Sequence, residues 1–557
     1  MDCLARKLFR KFASTVPHEV LLRNASATLP SMHVPARTRA TVVHARTARR
    51  NALQALLIAA MTALGSICSS VFAHDLWIEH VTVVSAERTK PLLNATVHIH
   101  HDRIVAISNV PSHGVVWGAT APSSAATING RGLYLTPGLI DSHVHLGAIA
   151  GMTGEQEAGH PEIARAARAQ IPRSYLYFGF TTVIDLISTP QAMAIWKAHS
   201  PGPDTYFCGA AAIKDGYPMH WIPKPDRYRM MPYFLVEPET AAFSSDSGAA
   251  DHTPEAVVRR MKADGASCVK TFFERGFGAD HDLPVPRLET IRALVGAAHA
   301  AGLPVLMHAN GSEAQEFALA AGVDIIAHGL WNWREPLETT DVTPEVRKIL
   351  DGVIESNRGW QPTVQVLYGL RDLFNPSFLA DPMLRHVEPE SLIEWYGTKE
   401  GQWFHDEILR DVPPSAQADF AKRGYRTLIA RDENSVRYLA QRNARILFGT
   451  DTPAAPTYAN PPGLNGWLEM QRLTDAGMSP AQIFHAATLS NAEAIGLHDI
   501  GSVQIGKRAN LLLLRQDPTQ TIQAYDEIVR VIVHGQVFDR ATLAADSQAT
   551  SKTRARP

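Results

Sequence analysis

The 557-residue chain predicts an α/β protein: a (β/α)8 TIM-like barrel joined to a small β-sandwich domain formed from both chain ends. Three observations predict it. From Gly132 to Leu497, short apolar runs alternate with helix-like stretches. The flanking segments, 75–108 and 501–533, read as short strands broken by turns. Histidines and acids gather at the C-terminal ends of the central apolar runs, where such a barrel brings together side chains from separate strands.

Composition agrees. With 45% hydrophobic and 19% charged residues and a formal net charge of -2, the chain is of ordinary globular type, long enough for one large domain and a smaller one. So small a net charge argues against nucleic acid as a partner, because phosphate binding needs a basic surface.

Residues 1–73 read as a leader. Arg46, Arg49 and Arg50 precede an apolar run from Ala52 to about Leu64, and small residues end in Val71-Phe72-Ala73. This is the order of a secretory signal, with cleavage expected after Ala73. The apolar run is too short for a comfortable membrane span. The expectation is an exported, periplasmic or secreted protein with no stable membrane insertion after cleavage; an uncleaved anchor is the competing reading. Cys3 and Cys68 fall in the leader, while Cys208 and Cys268 sit inside expected strands. These two form either one disulfide or two separate buried thiols, and their spacing fits no zinc module.

Residues 74–136 are expected to begin the β-sandwich, with strands at Leu76–Ile78, Val81–Val84, Ala95–His100 and Ile104–Ile107. The barrel should occupy 137–494. Its eight expected strands are Ile140–Leu146, Thr181–Leu186, Thr205–Ala211, Cys268–Phe273, Val305–His308, Ile325–His328, Thr363–Val366 and Ile446–Gly449. Helices are expected at Pro161–Phe178, Pro254–Ala263, Arg287–Ala301 and Glu313–Ala321, the last two closed by Gly302 and Gly322. Two connections, 213–253 and 367–432, are too long for simple loops and read as lids or substrate walls. Residues 495–543, with strands at Gly501–Val503, Leu511–Leu514 and Val531–Val533, should complete the sandwich. The polar tail 544–557 is expected to be disordered.

The chemistry starts at His143-Val144-His145. Residues i and i+2 of a strand share a face, so two imidazoles are offered to one divalent ion. His308 and His328 close two further strands, 20 residues apart (328 − 308), and Asp451 follows the eighth. Lys270 lies within the apolar fourth strand, where an unpaired ammonium costs several kcal/mol and so needs an anion or a change of charge. Singly, each of these residues is more often structural: a packing histidine, or an aspartate capping a helix. Together at one end of one barrel they point to a metal centre. A second His-x-His, at His98-Ile99-His100 followed by His101, is expected to have no other ligand candidate nearby and reads as surface histidines on a hairpin.

These residues carry a resemblance. The chain resembles the amidohydrolase superfamily, closest to its imidazolonepropionase-like and prolidase-like metal-dependent hydrolases. The resemblance rests on Pro137-Gly138-Leu139-Ile140-Asp141-Ser142-His143-Val144-His145, on Gly179-Phe180-Thr181-Thr182-Val183-Ile184-Asp185, and on Lys270, His308 and His328. It extends to Gly449-Thr450-Asp451-Thr452, His485-Ala486-Ala487-Thr488-Leu489-Ser490-Asn491 and Gly506-Lys507-Arg508-Ala509-Asn510-Leu511. It covers about residues 75–540 and supports the count of eight strands. Asn510 departs from the family's usual aspartate, and so does the long segment between His328 and Asp451.

The resemblance implies a ligand set. His143, His145 and Asp451 would bind one metal, and His308 and His328 a second. Lys270, bearing a CO2-derived carboxyl group, would bridge them. Two divalent ions, with zinc expected, would share an activated hydroxide. Asp451 would act as general acid/base, and Tyr217 and His220 would bind substrate or its oxyanion. The implied activity is hydrolysis of an amide-type C–N bond in a peptide-like or cyclic amide of small size. Trp331, Trp333 and the aromatic residues of the two long loops suggest an apolar or aromatic group in the pocket. A mononuclear deaminase or lactonase and a non-catalytic binding relative are the competing classes. The sequence leaves open whether the chain forms a homo-oligomer.

Overall fold

The computed structural model describes residues 75–109, 126–197, 199–237, 249–277, 282–410, 412–453 and 456–547. The leader expected over 1–73 lies outside them. Fifteen strands of the described residues fall into two sheets.

The first is parallel and seven-stranded. It contains β6 (Leu139–Val144), β7 (Phe180–Asp185), β8 (Asp204–Ala211), β9 (Cys268–Phe272), β10 (Val305–His308), β11 (Ile325–Ala327) and β12 (Gly359–Gln361), in sequence order across the sheet. Helices follow the strands, including Pro161–Tyr177, Pro254–Ala263, Leu288–Ala300 and Ser312–Ala321, each within a residue of expectation. Gly302 and Gly322 both adopt φ near the left-handed region (69° and 81°), which glycine takes without the Cβ penalty. Alternate residues sort the sheet into two faces. Val183, Phe207, Val269, Val305, Met307 and Ile326 join the core shared with the helices. Ile140, Ile184, Cys208, Cys268, Leu306 and Ile325 turn the other way, packing with Leu447, Ile495 and Ile500. Lys270 and His308, two residues beyond Cys268 and Leu306, continue that second face toward the strand ends.

The last two expected strands are corrected. Thr363–Val366 is not a strand; the seventh is Gly359–Gln361, and a helix runs over Val364–Asp372. The apolar alternation there is overridden because the Glu469 carboxylate accepts the amides of Val364 and Gln365, satisfying donors at the helix start. Ile446–Gly449 forms no strand, so the barrel is not closed by an eighth. Instead, the segment reaches both edges of the sheet through isolated bridges, Trp360 with Ile446 and Val144 with Thr452. Leu447 N donates to Trp360 O, Ser142 N to Phe448 O, and Asp451 N to His143 O.

The second sheet is mixed and holds eight strands from both ends of the described chain. Its order is β15 (Gln536–Asp539), β14 (Ile528–Val533), β13 (Leu511–Leu514), β5 (Tyr134–Pro137), β1 (Asp75–Val83), β2 (Leu92–His100) and β3 (Arg103–Ser108), with β4 (Ala126–Asn129) also on β1. This replaces the expected two-layered sandwich with one sheet. It bends far enough for Arg103 at the start of β3 to bridge Arg508 before β13, around a core of Ile78, Val97, Ile99, Leu511 and Leu513. The two expected strands at Leu76–Ile78 and Val81–Val84 are a single strand with register shifts near His80 (φ 59°). Gly501–Val503 forms no strand. Of the expected disordered tail, Ala544 is buried and Asp546 meets His386 at 3.2 Å, so its first residues pack; 548–557 lie outside the described residues.

Asn510 lies between the sheets. Its side-chain amide donates to Asp204, and its carbonyl oxygen accepts the amide of His534. Arg508 and His534 also bind Asp204. An aspartate at 510 would set a second carboxylate against Asp204, so the departure from the family pattern has a local electrostatic reason. Cys208 and Cys268, paired across β8 and β9, form a disulfide, which removes the alternative of two free thiols.

Candidate metal centre

His143 lies on β6 and His145 just past its end, brought toward Asp451 by the turn after Gly449. A Cβ on Gly449 would come within 2.7 Å of His143 Cβ, so only glycine permits this approach. His143 Nε2 lies 3.0 Å and His145 Nε2 2.8 Å from the same oxygen, Oδ1 of Asp451. The ligand atoms of the three lie within 4.8 Å of one another. Among the described residues this is the one group of three or more His, Cys, Asp or Glu so close.

Asp141 holds this arrangement. It accepts the Thr450 hydroxyl (2.6 Å), the Thr450 amide (3.1 Å) and the His143 amide (3.2 Å), pinning the Asp451 turn to the His143 strand. Burial pushes its carboxyl up to about 7 despite those donors. Asn491 stitches the same corner from below, donating to Ile140 O and Phe448 O. Asp451 (φ 58°) and His328 (φ 81°) are both left-handed, a strain of roughly 1–3 kcal/mol for a side-chain-bearing residue and a frequent mark of functional sites.

The remaining expected ligands close in from the other strands. The His328 ring lies 4.9 Å from His143 and 4.4 Å from His308, and His328 Nδ1 is 3.8 Å from Asp451 Oδ2. Lys270 is 1% exposed, and its ammonium nitrogen has no hydrogen-bond partner. Burial lowers its pKa to about 7, against the pull of Asp451, so its neutral amine is accessible near neutrality. Burial likewise lowers His308 and, more strongly, His328, and takes His143 down to about 3, with Lys270 adding to each. All three are neutral imidazoles, the form that ligates a metal. Burial alone would raise Asp451, yet His143, His145 and His328 hold it well below the ordinary carboxylate range, as an anion.

Side-chain contacts fix which imidazole nitrogens remain for an ion. His143 Nδ1 faces Gln361 Oε1 (3.2 Å), and His328 Nδ1 faces Thr363 Oγ1 (3.2 Å), leaving Nε2 of each. His308 is reversed: its Nε2 meets Glu274 Oε2 at 3.1 Å, leaving Nδ1. Gln361 and Glu274 are absent from the expected site. Glu274 had a readable signal, an acid four residues past Lys270 at the end of the same apolar strand; Gln361 had none.

Tyr217 reaches the centre and His220 stands behind it. The Tyr217 ring is 4.7 Å from His308, and burial, reinforced by Glu274 and Asp451, raises its phenol well above 10, so it stays a donor. His220 lies 6.1 Å from Tyr217, with both ring nitrogens buried and unpartnered; burial lowers it to about 4. Trp221, Phe272 and Phe277 surround Tyr217, and Trp331 lies 5.8 Å from His328, so aromatic rings flank the centre. Trp333 instead donates to Leu330 O and stacks under Arg431. The Leu146–Met152 turn after His145 is held by the long second insertion: Tyr396 donates to Ala150 O and Trp403 to Gly151 O.

The model of the amidohydrolase family matches residues 134–341 and 404–538. The fold is similar to the crystal structure of an amidohydrolase (22% identity, TM-score 0.57, covering 84% of this chain and 99% of that one). It is also similar to a prolidase solved with N-methylphosphonate-L-proline (20%, 0.58, 84% and 100%) and to phenylurea hydrolase B (20%, 0.56, 84% and 97%). No curated protein matches the sequence.

Proposed function

Because this chain belongs to the amidohydrolase family and is a hydrolase acting on carbon–nitrogen bonds, we propose that it is a binuclear metal hydrolase of an amide-type bond. The observation that carries the proposal is the convergence of His143, His145 and Asp451 with His308, His328 and a buried, unpartnered Lys270 nitrogen. The donor set fits divalent ions such as zinc, being neutral imidazoles and carboxylate oxygen. Carboxylation of Lys270 would convert the unpartnered nitrogen into a bridging anion. The family's barrel architecture supports reading segment 446–452 as the eighth strand position.

His143, His145, Asp451, His308 and His328 would hold the metal, which when bound would supply Lewis acidity. Asp451, an anion in contact with His143 and His145, would accept the proton of the attacking water and deliver it to the leaving nitrogen. The Tyr217 phenol donates to the oxygen that gains charge as the carbonyl is attacked. Trp221, Phe272 and Phe277 exclude water on one side and favour an apolar or aromatic group there. His220 packs behind Tyr217 and orients it. The similarity to a prolidase and to phenylurea hydrolase B supports peptide-like amides and aryl ureas as first candidates. The disulfide supports an oxidising compartment, in keeping with the leader and export.

A second reading has one observation in its favour: among the described residues only His143, His145 and Asp451 form a group of three whose ligand atoms all lie within 4.8 Å of one another, which suits a mononuclear deaminase or lactonase. Elemental analysis of protein purified without chelator separates the readings. About two metals per chain, with amine release from dipeptides, N-acyl amino acids or cyclic amides, supports the binuclear hydrolase. About one supports the mononuclear reading. None after reconstitution with bicarbonate and zinc or manganese overturns both and leaves a binding protein.

A further inference from the structure

We propose that Glu274 is a positioning residue for His308, fixing its tautomer so that Nδ1 faces the second metal position. The inference rests on the metal centre described above, but its geometry stands alone. Glu274 follows β9 and its side chain is only 10% exposed. One oxygen, Oε1, accepts the Gly276 amide at 2.9 Å. The other, Oε2, lies 3.1 Å from both His308 Nε2 and Asn310 Nδ2. Asn310 in turn accepts from Asn332 Nδ2 at 3.0 Å, and its backbone oxygen takes the amides of Trp331 and Asn332.

Three donors on one carboxylate leave little for a substrate cation, so Glu274 belongs to the scaffold. A carboxylate is an acceptor only, so at 3.1 Å His308 Nε2 must carry the hydrogen. The Asn310 nitrogen 3.3 Å from Nε2 is then a second donor converging on the same oxygen, not a donor to the ring. Nδ1 is left with its lone pair free, the reverse of His143 and His328, whose Nδ1 atoms are engaged by Gln361 and Thr363. The Asn310–Asn332 contact ties the loop after His328 to the same carboxylate. Glu274 thus holds two strand ends at once and raises the basicity of one ligand.

The test uses Glu274→Ala and Glu274→Gln in the full chain. First, nitrogen-15 NMR of histidine-labelled, metal-free protein reads the His308 tautomer, its signal assigned by its loss in His308→Gln. We expect the Nε2–H form in the parent, a mixture of tautomers in Glu274→Ala, and partial retention in Glu274→Gln, which keeps an acceptor but no charge. Second, zinc is withdrawn by graded chelator. The metal equivalent that His308→Gln weakens should lose about 10- to 100-fold in affinity in Glu274→Ala and less in Glu274→Gln, with the other metal and the circular dichroism unchanged. An Nδ1–H tautomer in the parent, or unchanged tautomer and metal affinity in both variants, overturns the proposal. If the parent itself binds fewer than two metals, the binuclear reading fails, while the tautomer measurement still decides the role of Glu274.

Discussion

The chain carries two His-x-His motifs, and the fold treats them almost alike at first sight. His98 Nε2 and His100 Nδ1 meet one oxygen of Asp75 at 2.8 and 3.0 Å. His143 Nε2 and His145 Nε2 meet one oxygen of Asp451 at 3.0 and 2.8 Å. The carboxylate at the first motif corrects the expectation that no ligand candidate stands near it; β1 and β2 pair Asp75 with His100 across the hairpin. The difference lies in what surrounds the two triads. The His98 and His100 side chains are 20% and 44% exposed, and His98 is stacked on Trp77 at 3.9 Å. His143 is 1% exposed and lies 4.9 Å from His328, with Lys270 close enough to help lower its pKa. A histidine pair becomes a metal centre when buried ligands converge on it from separate strands; on a solvated hairpin it is an ordinary hydrogen-bonded cluster.

Substitution at the buried triad should separate the two most sharply. Asp451→Asn should lower amide hydrolysis by on the order of 10³-fold or more, since it removes a ligand and the proton carrier together. Elemental analysis of the same variant should show metal lost. Lys270→Ala should rank next, with metal falling toward one per chain and turnover falling roughly 10²-fold. Compared metal-free, its melting temperature should hold or rise relative to the parent, because an unpaired buried amine is removed. Small carboxylic acids added to Lys270→Ala should restore part of the activity if the lysine works as a carboxylate; failure of every such acid would remove the bridging role.

The surface pair should respond weakly. The His98→Ala/His100→Ala double variant should keep the parent's metal content and turnover within about twofold, with a stability change of up to about 1 kcal/mol. Loss of a metal equivalent would erase the distinction between the motifs. The smallest effect belongs to Asp75. Burial raises its carboxyl, but hydrogen bonds from His100 and His98 outweigh this and leave it below its ordinary value. A depressed carboxyl contributes stability above its unfolded pKa and loses it as pH falls through the folded one. Asp75→Asn should therefore be destabilised near neutrality by a few tenths to about 1 kcal/mol. Thermal melts should show the difference vanishing on acidification below the ordinary aspartate range.

The same contrast explains what was legible in the sequence. His143, His145, Lys270, His308, His328 and Asp451 could be found because each sits at or within an apolar run, and the runs recur. Gln361 could not, because its contact with His143 joins positions 218 residues apart with no pattern around Gln361 to flag it. The Asp141–Thr450 clamp lies inside recognisable motifs, but its function exists only once two distant segments are side by side. The misplaced seventh strand has the same origin: the start of Val364–Asp372 is decided by the Glu469 carboxylate, 105 residues away from Val364.

Alternating strand and helix periodicity determined the α/β class, a lysine in an apolar run and histidines at strand ends marked the six candidate ligands, and the motifs around them carried the resemblance to the family. These are local properties, set by which residues can be buried and how often they recur. Tertiary structure alone decided which His-x-His is enclosed, which nitrogen of each imidazole is free, that Cys208 and Cys268 are joined, and that Glu274 stands behind His308. Those features depend on the distance and burial of groups far apart in the chain, and no spacing along a sequence encodes them.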